Sequence, residues 1–173
     1  ISGSYSQGGP TTPFSVERTS LTTTTSKPEN ETDLNISNGE IQIGGTLTLP
    51  TGNIKAPLVI MSSGSGAQNR DSEVFGFKIF SDMAQRMAEE GIPSFRYDDR
   101  GVGESTGNFG NTTLEDLASD VEAIMSYFQN DAENKFRRFA LLGHSQGGVV
   151  AGKVAAENVA VDQLILMGST APP

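Results

Sequence analysis

Cysteine is absent from the 173-residue chain, positive charge is scarce, and there is a single histidine. Without cysteine the chain can form no disulfide, no thiolate zinc site and no cysteine nucleophile. Lys and Arg number 12 against 21 Asp and Glu, and the net charge is −9. The basic residues form no cluster, which argues against a nucleic-acid partner, because phosphate neutralisation needs them grouped on one face. No run of about 18 apolar residues occurs, so the sequence predicts no membrane span.

The first 38 residues are polar and weakly patterned. Residues 1–18 alternate weakly on either side of Gly8-Gly9-Pro10, which predicts a β-hairpin. Because an isolated hairpin is marginal in water, we expect it to be the remnant of a preceding β-rich domain. Residues 19–38 are rich in Thr, Ser, Asn and Glu, which predicts a linker. A single domain would then occupy residues 39–173.

Apolar runs and helical repeats alternate from Glu40 onward. The patterns predict two short strands within 41–49 bent at Gly44-Gly45, further strands at 58–61, 92–97, 139–142 and 164–167, and helices over 79–88, 114–128 and 149–156. We expect a capping box of Thr112 and Glu115 at the start of the second helix. This alternation is typical of the α/β class, with a mostly parallel sheet and helices on both faces.

Ligand sites in such sheets lie at the carboxyl ends of the strands. The segments at those ends are rich in Gly, Ser or Asp: Ser63–Gly66, Asp98–Gly101, His144–Gly148 and Gly168–Thr170. The sequence therefore predicts a functional site at that edge of the sheet.

The strongest chemical signal is Gly143-His144-Ser145-Gln146-Gly147, which has the form G-x-S-x-G. Such a pattern also arises by chance in glycine-rich chains, but here it follows a buried strand directly and opens a helix directly. A sharp strand-to-helix turn lifts the serine hydroxyl above the sheet and requires small flanking residues. The helix N-terminus also favours developing negative charge. The context predicts that Ser145 is a catalytic nucleophile.

Acyl transfer also requires hydrogen-bond donors for the oxyanion, typically two backbone N–H groups. Gln146 follows the nucleophile directly and is the first expected donor. The second is expected from Ser65, with Gly64 or Gly66 as alternatives, in the loop after the first parallel strand. An ordinary Gly/Ser turn is the other interpretation of that loop.

Three further groups of polar residues lie near the expected site. His144 is adjacent to Ser145, and because adjacent side chains diverge at such a turn, we expect it to pack or hydrogen-bond rather than act as the general base. Asp98, Asp99 and Arg100 are expected to brace the neighbouring loop, although a metal or acid/base pair is an alternative. Residues 68–71, Gln-Asn-Arg-Asp, could line a substrate entrance or cap the next helix.

Three motifs in order resemble one known family: Ser62–Asp71, Arg96–Ser105 and Gly143–Gly148. Together they resemble the bacterial α/β-hydrolase carboxylesterases related to dienelactone hydrolases and prolyl-peptidase-like enzymes, above all the group with a small β-rich domain ahead of the hydrolase domain. The resemblance covers about residues 39–173. It implies a partial α/β-hydrolase fold, Ser145 as nucleophile, and Gln146 and Ser65 as oxyanion donors.

The resemblance implies hydrolysis of small-molecule carboxylic esters by a Ser-His-Asp triad, with no cofactor and no metal. A peptidase or acyltransferase on the same scaffold is the near alternative, and a non-catalytic binding module is the alternative of a different class. It leaves the compartment open between a secreted or periplasmic setting and the cytoplasm.

The chain departs from the family pattern in one respect: no histidine follows His144. In this fold the triad Asp and His come after the nucleophile, beyond the last predicted strand. We therefore expect this segment alone to be inactive as an esterase. We also expect its last strand to leave an unpaired apolar edge that is prone to aggregation.

Overall fold

The computed structural model describes residues 2–5, 12–15, 27–54, 56–133 and 136–169. The strands are β1 Ser2–Tyr5, β2 Thr12–Ser15, β3 Glu31–Asn38, β4 Ile41–Thr48, β5 Leu58–Ser62, β6 Glu73–Val74, β7 Phe77–Lys78, β8 Ser94–Tyr97, β9 Phe139–His144 and β10 Val161–Met167. The helices are α1 Ile79–Glu89, α2 Leu114–Asn130 and α3 Gln146–Glu157, and a 3₁₀ turn covers Phe109–Asn111. None of these helices is long and apolar enough to cross a membrane.

Six strands form the main sheet, in the order β10-β9-β5-β8-β4-β3. β10, β9, β5 and β8 run parallel to one another, whereas β4 is antiparallel to β8 and β3 is antiparallel to β4. β5 is buried along its whole length, as expected for a strand covered on both sides. The prediction of an α/β fold with a mostly parallel sheet is confirmed.

Helices cover both faces of this sheet and enclose two apolar clusters. On one face, α1 places Phe80 and Ala84 against β5 and β9. On the other face, α2 and α3 pack over a larger cluster, in which Phe95 of β8 meets Phe128 of α2 edge-on with ring centroids 5.1 Å apart. The predicted α2 stripe is buried, with Leu114 partly so: Leu114, Leu117, Val121, Ile124 and Phe128.

The predicted linker is wrong over residues 31–38, which form β3. Leu34 and Ile36 point to the α2 face, and Ile36 is fully buried there. Gly39, at φ 60°, then turns the chain so that β3 pairs in full register with β4. Two apolar side chains at alternate positions are enough for a strand when a partner strand satisfies its backbone. Residues 19–26 lie outside the described part of the chain.

The predicted bend at Gly44-Gly45 is also wrong, because β4 runs without interruption through both glycines. A Cβ on Gly44 would lie 2.6 Å from the Cβ of Glu104. A Cβ on Gly45 would collide with the ring of Phe95 and would lie 2.8 Å from the Arg96 carbonyl oxygen. The two glycines therefore permit close approach of neighbouring groups rather than a bend.

The capping box at the start of α2 is displaced by one residue from the prediction. Thr113, not Thr112, is the N-cap, and its hydroxyl oxygen accepts from the Asp116 N–H at 3.1 Å. The Asp116 carboxylate in turn accepts from the Thr113 N–H at 2.9 Å. The Thr112 hydroxyl instead donates to the Asn108 carbonyl oxygen and helps to close the 3₁₀ turn. Asp is therefore the reciprocal partner in place of Glu115.

The N-terminal pair of strands agrees with the prediction from the sequence. β1 and β2 pair antiparallel, which confirms the N-terminal hairpin, although its predicted turn lies outside the described residues. Its origin in a preceding domain stays a prediction.

β10 forms one edge of the described sheet, and Leu164 and Ile165 are exposed on it. Aggregation through that edge also stays a prediction.

Candidate active site

Ser145 occupies the sharp turn between β9 and α3. Its backbone has φ 51° and ψ −115°, a left-handed conformation that is unusual for a residue with a side chain. Its N–H donates to the Met167 carbonyl oxygen at 3.0 Å, and its carbonyl oxygen accepts from Gly148 N–H at 3.0 Å. These bonds hold the strained residue between β10 and the first turn of α3. A strained conformation that its surroundings enforce is typical of a functional position.

Glycine is required on both sides of Ser145. A Cβ on Gly147 would collide with the carbonyl oxygens of Ser62 and Ser63 at the end of β5. A Cβ on Gly143 would collide with the main chain of Gly147 and Gly148. Because these obstacles are backbone atoms rather than flexible side chains, the turn and the β5 end pack together only when both positions are glycine.

The loop after β5 passes directly over Ser145. A Cβ placed on Gly64 would lie 3.5 Å from the Ser145 Cβ. Ser65 follows Gly64, is exposed, and its N–H takes part in no backbone hydrogen bond with any of the described residues. Gln146 is the first residue of α3, so its N–H has no intrahelical carbonyl partner. The structure thus brings the three predicted site residues, Ser145, Gln146 and Ser65, to one place.

His144 also lies against that loop, beside Gly64. Its Nδ1 is 3.0 Å from the position that a Cβ on Gly64 would take. Residues two apart on a strand share a face, so His144 points to the same face of β9 as Leu142, whereas Leu141 points to the other. Leu142 packs in the cluster under α1, so His144 belongs to the α1 face. In the described part of the chain, no hydrogen bond joins its imidazole to the Ser145 hydroxyl. The expectation that His144 packs beside the turn agrees with this placement.

Asp98 braces the loop that follows β8. Its carboxylate accepts from the Arg70 N–H at 2.7 Å and from the Glu104 N–H at 3.1 Å, and it pairs with the Arg70 guanidinium at 2.5 Å. The same guanidinium also binds Glu104 and Asp33. Asp98 is buried, and all these bonds tie two loops and β3 together. Its predicted role as a brace is confirmed.

Asp99 is also buried, but its carboxylate pairs with no cation among the described residues. Its Oδ2 accepts from the Gln68 N–H at 2.9 Å and from the Ser63 hydroxyl at 3.1 Å. Burial raises the pKa of Asp99 to about 6, the bonds from Gln68 and Ser63 lower it, and the charges of Asp120 and Asp98 raise it further. It therefore braces the loop over Ser145 through hydrogen bonds alone.

Arg100 points away from the site and fastens its loop to α2. Its guanidinium binds the Asp120 carboxylate at 2.7 Å and the Asp116 carboxylate at 3.0 Å. Among the described residues, no group of three or more His, Cys, Asp or Glu side chains is arranged to hold a metal ion.

No side chain of residues 68–71 caps α1, but the Asp71 carbonyl oxygen accepts from the Phe80 N–H in the first turn of α1 at 3.0 Å. The β6–β7 hairpin separates them from that helix, whose N-cap is Lys78 without a side-chain cap. The Asn69 side chain instead accepts from the Asp71 N–H at 3.2 Å, within its own loop. Asp71 binds Arg96 of β8 at 2.9 Å. The capping alternative therefore holds for the Asp71 main chain and not for a side chain, and these residues also anchor the loop after β5.

Ser62 and Tyr97 lie beneath the turn beside Ser63, and the sequence did not single these two out as parts of the site. Ser62, Ser63 and Tyr97 line a small cavity below Gly147. The Ser62 and Tyr97 hydroxyls are 3.0 Å apart and form a hydrogen bond. A usable signal was present, because all three stand at the carboxyl ends of the adjacent parallel strands β5 and β8.

A family comparison agrees with this geometry. The family model for serine aminopeptidase, S33, matches residues 77–172, more than half of the chain. The chain therefore belongs to this family of α/β hydrolases.

The individual relatives include a protein named as an esterase and one named as an α/β hydrolase, and each is longer than this chain. The chain is 27% identical over 129 residues to Esterase EstD of Thermotoga maritima, covering 75% of this chain and 31% of that protein. Among solved structures, the α/β hydrolase GrgF from Penicillium sp. superposes with a TM-score of 0.66 at 26% identity, over 83% of this chain and 46% of that one. Est1E from Butyrivibrio proteoclasticus, solved with ferulic acid bound, gives 0.63 at 26% identity, over 76% and 50%. The chain thus spans about a third to a half of the length of these relatives.

Proposed function

We propose that Ser145 is the nucleophile of a serine hydrolase that cleaves carboxylic esters through an acyl-enzyme. The observation that carries the proposal is the strained backbone of Ser145 between β9 and α3, at φ 51° and ψ −115°. This conformation directs a short side chain out of the strand-to-helix turn, and α3 begins immediately behind it. Esterase and hydrolase relatives support the general chemistry.

The oxyanion of the tetrahedral intermediate would be bound by two backbone N–H groups, those of Gln146 and Ser65. Gln146 heads α3, where the N–H groups and the helix dipole favour negative charge. Gly64 brings the loop that carries Ser65 so close that a Cβ added to Gly64 would lie 3.5 Å from the Ser145 Cβ. Donors of this kind act on charge that develops only during reaction, so they accelerate the chemical step rather than tighten substrate binding.

The general base would be a histidine, which takes the Ser145 proton and later returns it to the leaving group. His144 is the only histidine of these 173 residues, and its side chain belongs to the α1 face. We therefore propose that the triad His and Asp are supplied from outside this segment. On this proposal the segment alone has negligible esterase activity, because a serine without a base is a weak nucleophile.

A peptidase on the same scaffold is the second candidate, since the family model that matches the chain is that of a serine aminopeptidase. Both reactions share the acyl-enzyme step, and they differ in the leaving group. An ester alkoxide leaves more readily than an amine and needs less assistance, so ester hydrolysis is ranked first.

The test is labelling with a fluorophosphonate, followed by hydrolysis of p-nitrophenyl esters and aminoacyl p-nitroanilides. It compares the full-length protein, residues 1–173 alone, and Ser145→Ala in the full-length protein. We expect labelling and turnover in the full-length protein, and a loss of roughly 10⁴-fold or more in kcat for Ser145→Ala. Residues 1–173 alone should show neither.

Ser126→Ala is the matched control, because Ser126 is an exposed serine on α2 away from the turn. It should label and turn over as the wild type does. A folded full-length protein that does not label at Ser145 would exclude the enzyme and favour a binding module. Anilide turnover well above ester turnover would favour the peptidase.

A further inference from the structure

One carboxylate holds both ends of the loop that passes over Ser145. The Ser63 hydroxyl at the start of the loop and the Gln68 N–H at its end donate to the same oxygen, Oδ2 of Asp99, at 3.1 and 2.9 Å. Between them lie Gly64, Ser65, Gly66 and Ala67, and Gly66 adopts φ 91°. Two glycines in so short a span leave the backbone free to move unless its ends are fixed.

A contribution to the stability of the fold does not explain why Asp99 is buried. It is 5% exposed, and the nearby arginines are engaged elsewhere, Arg70 with Asp98 and Arg100 with Asp120. A buried carboxylate without a cation disfavours the folded state, and burial accordingly raises the pKa of Asp99 to about 6. Its two hydrogen bonds therefore fasten a loop without a net gain from an ion pair.

We propose that Asp99 is a positioning residue that closes the Ser63–Gln68 loop and thereby holds the Ser65 N–H towards Ser145. This inference rests on the proposed function and adds a residue to its machinery. Asp99 would not touch the substrate. It would act through the loop. That loop is so close to Ser145 that a Cβ added to Gly64 would lie 3.5 Å from the Ser145 Cβ.

A carboxylate suits this task because it only accepts hydrogen bonds when ionised, and charge-assisted bonds are short and strong. The position of the Ser65 N–H is what Asp99 would control, and a displacement of about 1 Å at a catalytic group can lower the rate about 100-fold. The effect of losing Asp99 should therefore appear in kcat, where oxyanion stabilisation acts, and leave KM nearly unchanged.

The experiment compares Asp99→Ala and Asp99→Asn in the full-length protein with a p-nitrophenyl ester. Asp99→Ala removes both acceptors, and we expect kcat to fall about 30- to 100-fold with KM within about 2-fold of the wild type. Asp99→Asn keeps one oxygen that accepts from both Ser63 and Gln68. We expect it to recover most of the lost kcat, to within about 10-fold of the wild type.

Asp120→Ala is the matched control for the loss of a buried carboxylate. Asp120 is 3% exposed and binds Arg100 and Asn38, but it does not contact the Ser63–Gln68 loop. We expect it to lower stability while kcat of the folded protein stays within about 3-fold of the wild type. An equal kcat loss in Asp120→Ala and Asp99→Ala would contradict the proposal.

A second readout is independent of turnover. Hydrogen exchange of the Gln68 N–H, which donates to Asp99, should accelerate in Asp99→Ala and stay near the wild-type rate in Asp99→Asn. The affinity for a trifluoromethyl ketone, which forms an oxyanion on Ser145, should fall by the same factor as kcat. Unchanged exchange in Asp99→Ala would overturn the positioning role even if the variant is less active.

The two proposals fail in different ways. If the wild-type protein has no turnover that depends on Ser145, the proposed function and this inference are both overturned. If the wild type turns over and Asp99→Ala keeps full kcat, only the positioning role is overturned.

Discussion

The two halves of the sheet are held together by different forces. In the half that contains β3, β4 and β8, two arginines join the elements: Arg96 binds Glu31 at 3.0 Å and Asp71 at 2.9 Å, and Arg70 binds Asp98 and Asp33. In the half that contains β5, β9, β10 and α3, glycines allow backbone to touch backbone around Ser145. Buried ion pairs thus distinguish the first half, and close backbone packing at glycines distinguishes the second.

This difference suits the roles of the two halves. Paired charges join loops and strands over several ångströms and tolerate small changes of shape, as long as each charge keeps its partner. Close packing of backbone tolerates almost no added volume, and it fixes the position of Ser145 to a fraction of an ångström. The candidate site lies in the half with close packing, where the geometry is least adjustable.

The largest effect on stability is expected from Arg96→Met, which breaks the charged half. Arg96 is 4% exposed, and its loss leaves the buried Glu31 carboxylate with no cation among the described residues and Asp71 with Lys78 alone. We expect the free energy of unfolding to fall by about 3–5 kcal/mol. Denaturant unfolding followed by circular dichroism measures this change.

Arg86→Met is its control, since Arg86 is exposed on α1. That variant should change the free energy of unfolding by less than about 0.5 kcal/mol. Equal effects of the two substitutions would show that the ion pairs of Arg96 do not hold β3 to the sheet.

Gly147→Ala breaks the closely packed half. The added methyl group would meet the carbonyl oxygens of Ser62 and Ser63, so β5 and α3 must move apart. We expect a loss of about 3 kcal/mol in the free energy of unfolding, and fluorophosphonate labelling of Ser145 should be lost as well.

Gly52→Ala provides the comparison, because nothing lies within 4 Å of a Cβ at that position. It should leave stability and labelling unchanged. Labelling by Gly147→Ala at the wild-type rate would contradict the requirement for glycine beside the turn.

The smallest effect expected is a gain in stability from Asp99→Asn that depends on pH. Burial raises the pKa of Asp99 from 3.8 to about 6 in the folded chain, so its contribution to stability is full below about pH 4 and is lost as pH rises through about 6. Asn carries no charge at any pH. At pH 7–8 the variant should therefore be more stable than the wild type by about 1–3 kcal/mol, and below pH 4 the two should be alike.

Thermal or denaturant unfolding of both proteins between pH 4 and 8 measures this difference. Asp71 gives the opposite sign: burial raises its pKa, but Arg96 and Lys78 outweigh that effect and hold the pKa below 3.8. Its contribution is present above about pH 4 and is lost as pH falls further. A stability difference between Asp99→Asn and the wild type that does not vary with pH would contradict the buried, cation-free state of Asp99.

The sequence predicted local features well where they depend on neighbours along the chain. The helices, the buried parallel strands and the turn at Ser145 follow from apolar spacing and from glycine at 143 and 147. It failed for β3, because Leu34 and Ile36 alone do not distinguish a strand from a polar linker. The partner strand β4, which satisfies the backbone of β3, becomes visible only in the tertiary structure.

The same division applies to the candidate site. The sequence alone determined the order of the helices and the parallel strands, the family, and Ser145 as the residue in the sharp turn, because each depends on residue types at short spacing. Only the tertiary structure decided that Asp98 takes a cation while Asp99 takes the Ser63–Gln68 loop. Adjacent carboxylates look alike in a sequence, and their partners come from loops about 30 residues away, so the environment that separates their roles exists only after folding.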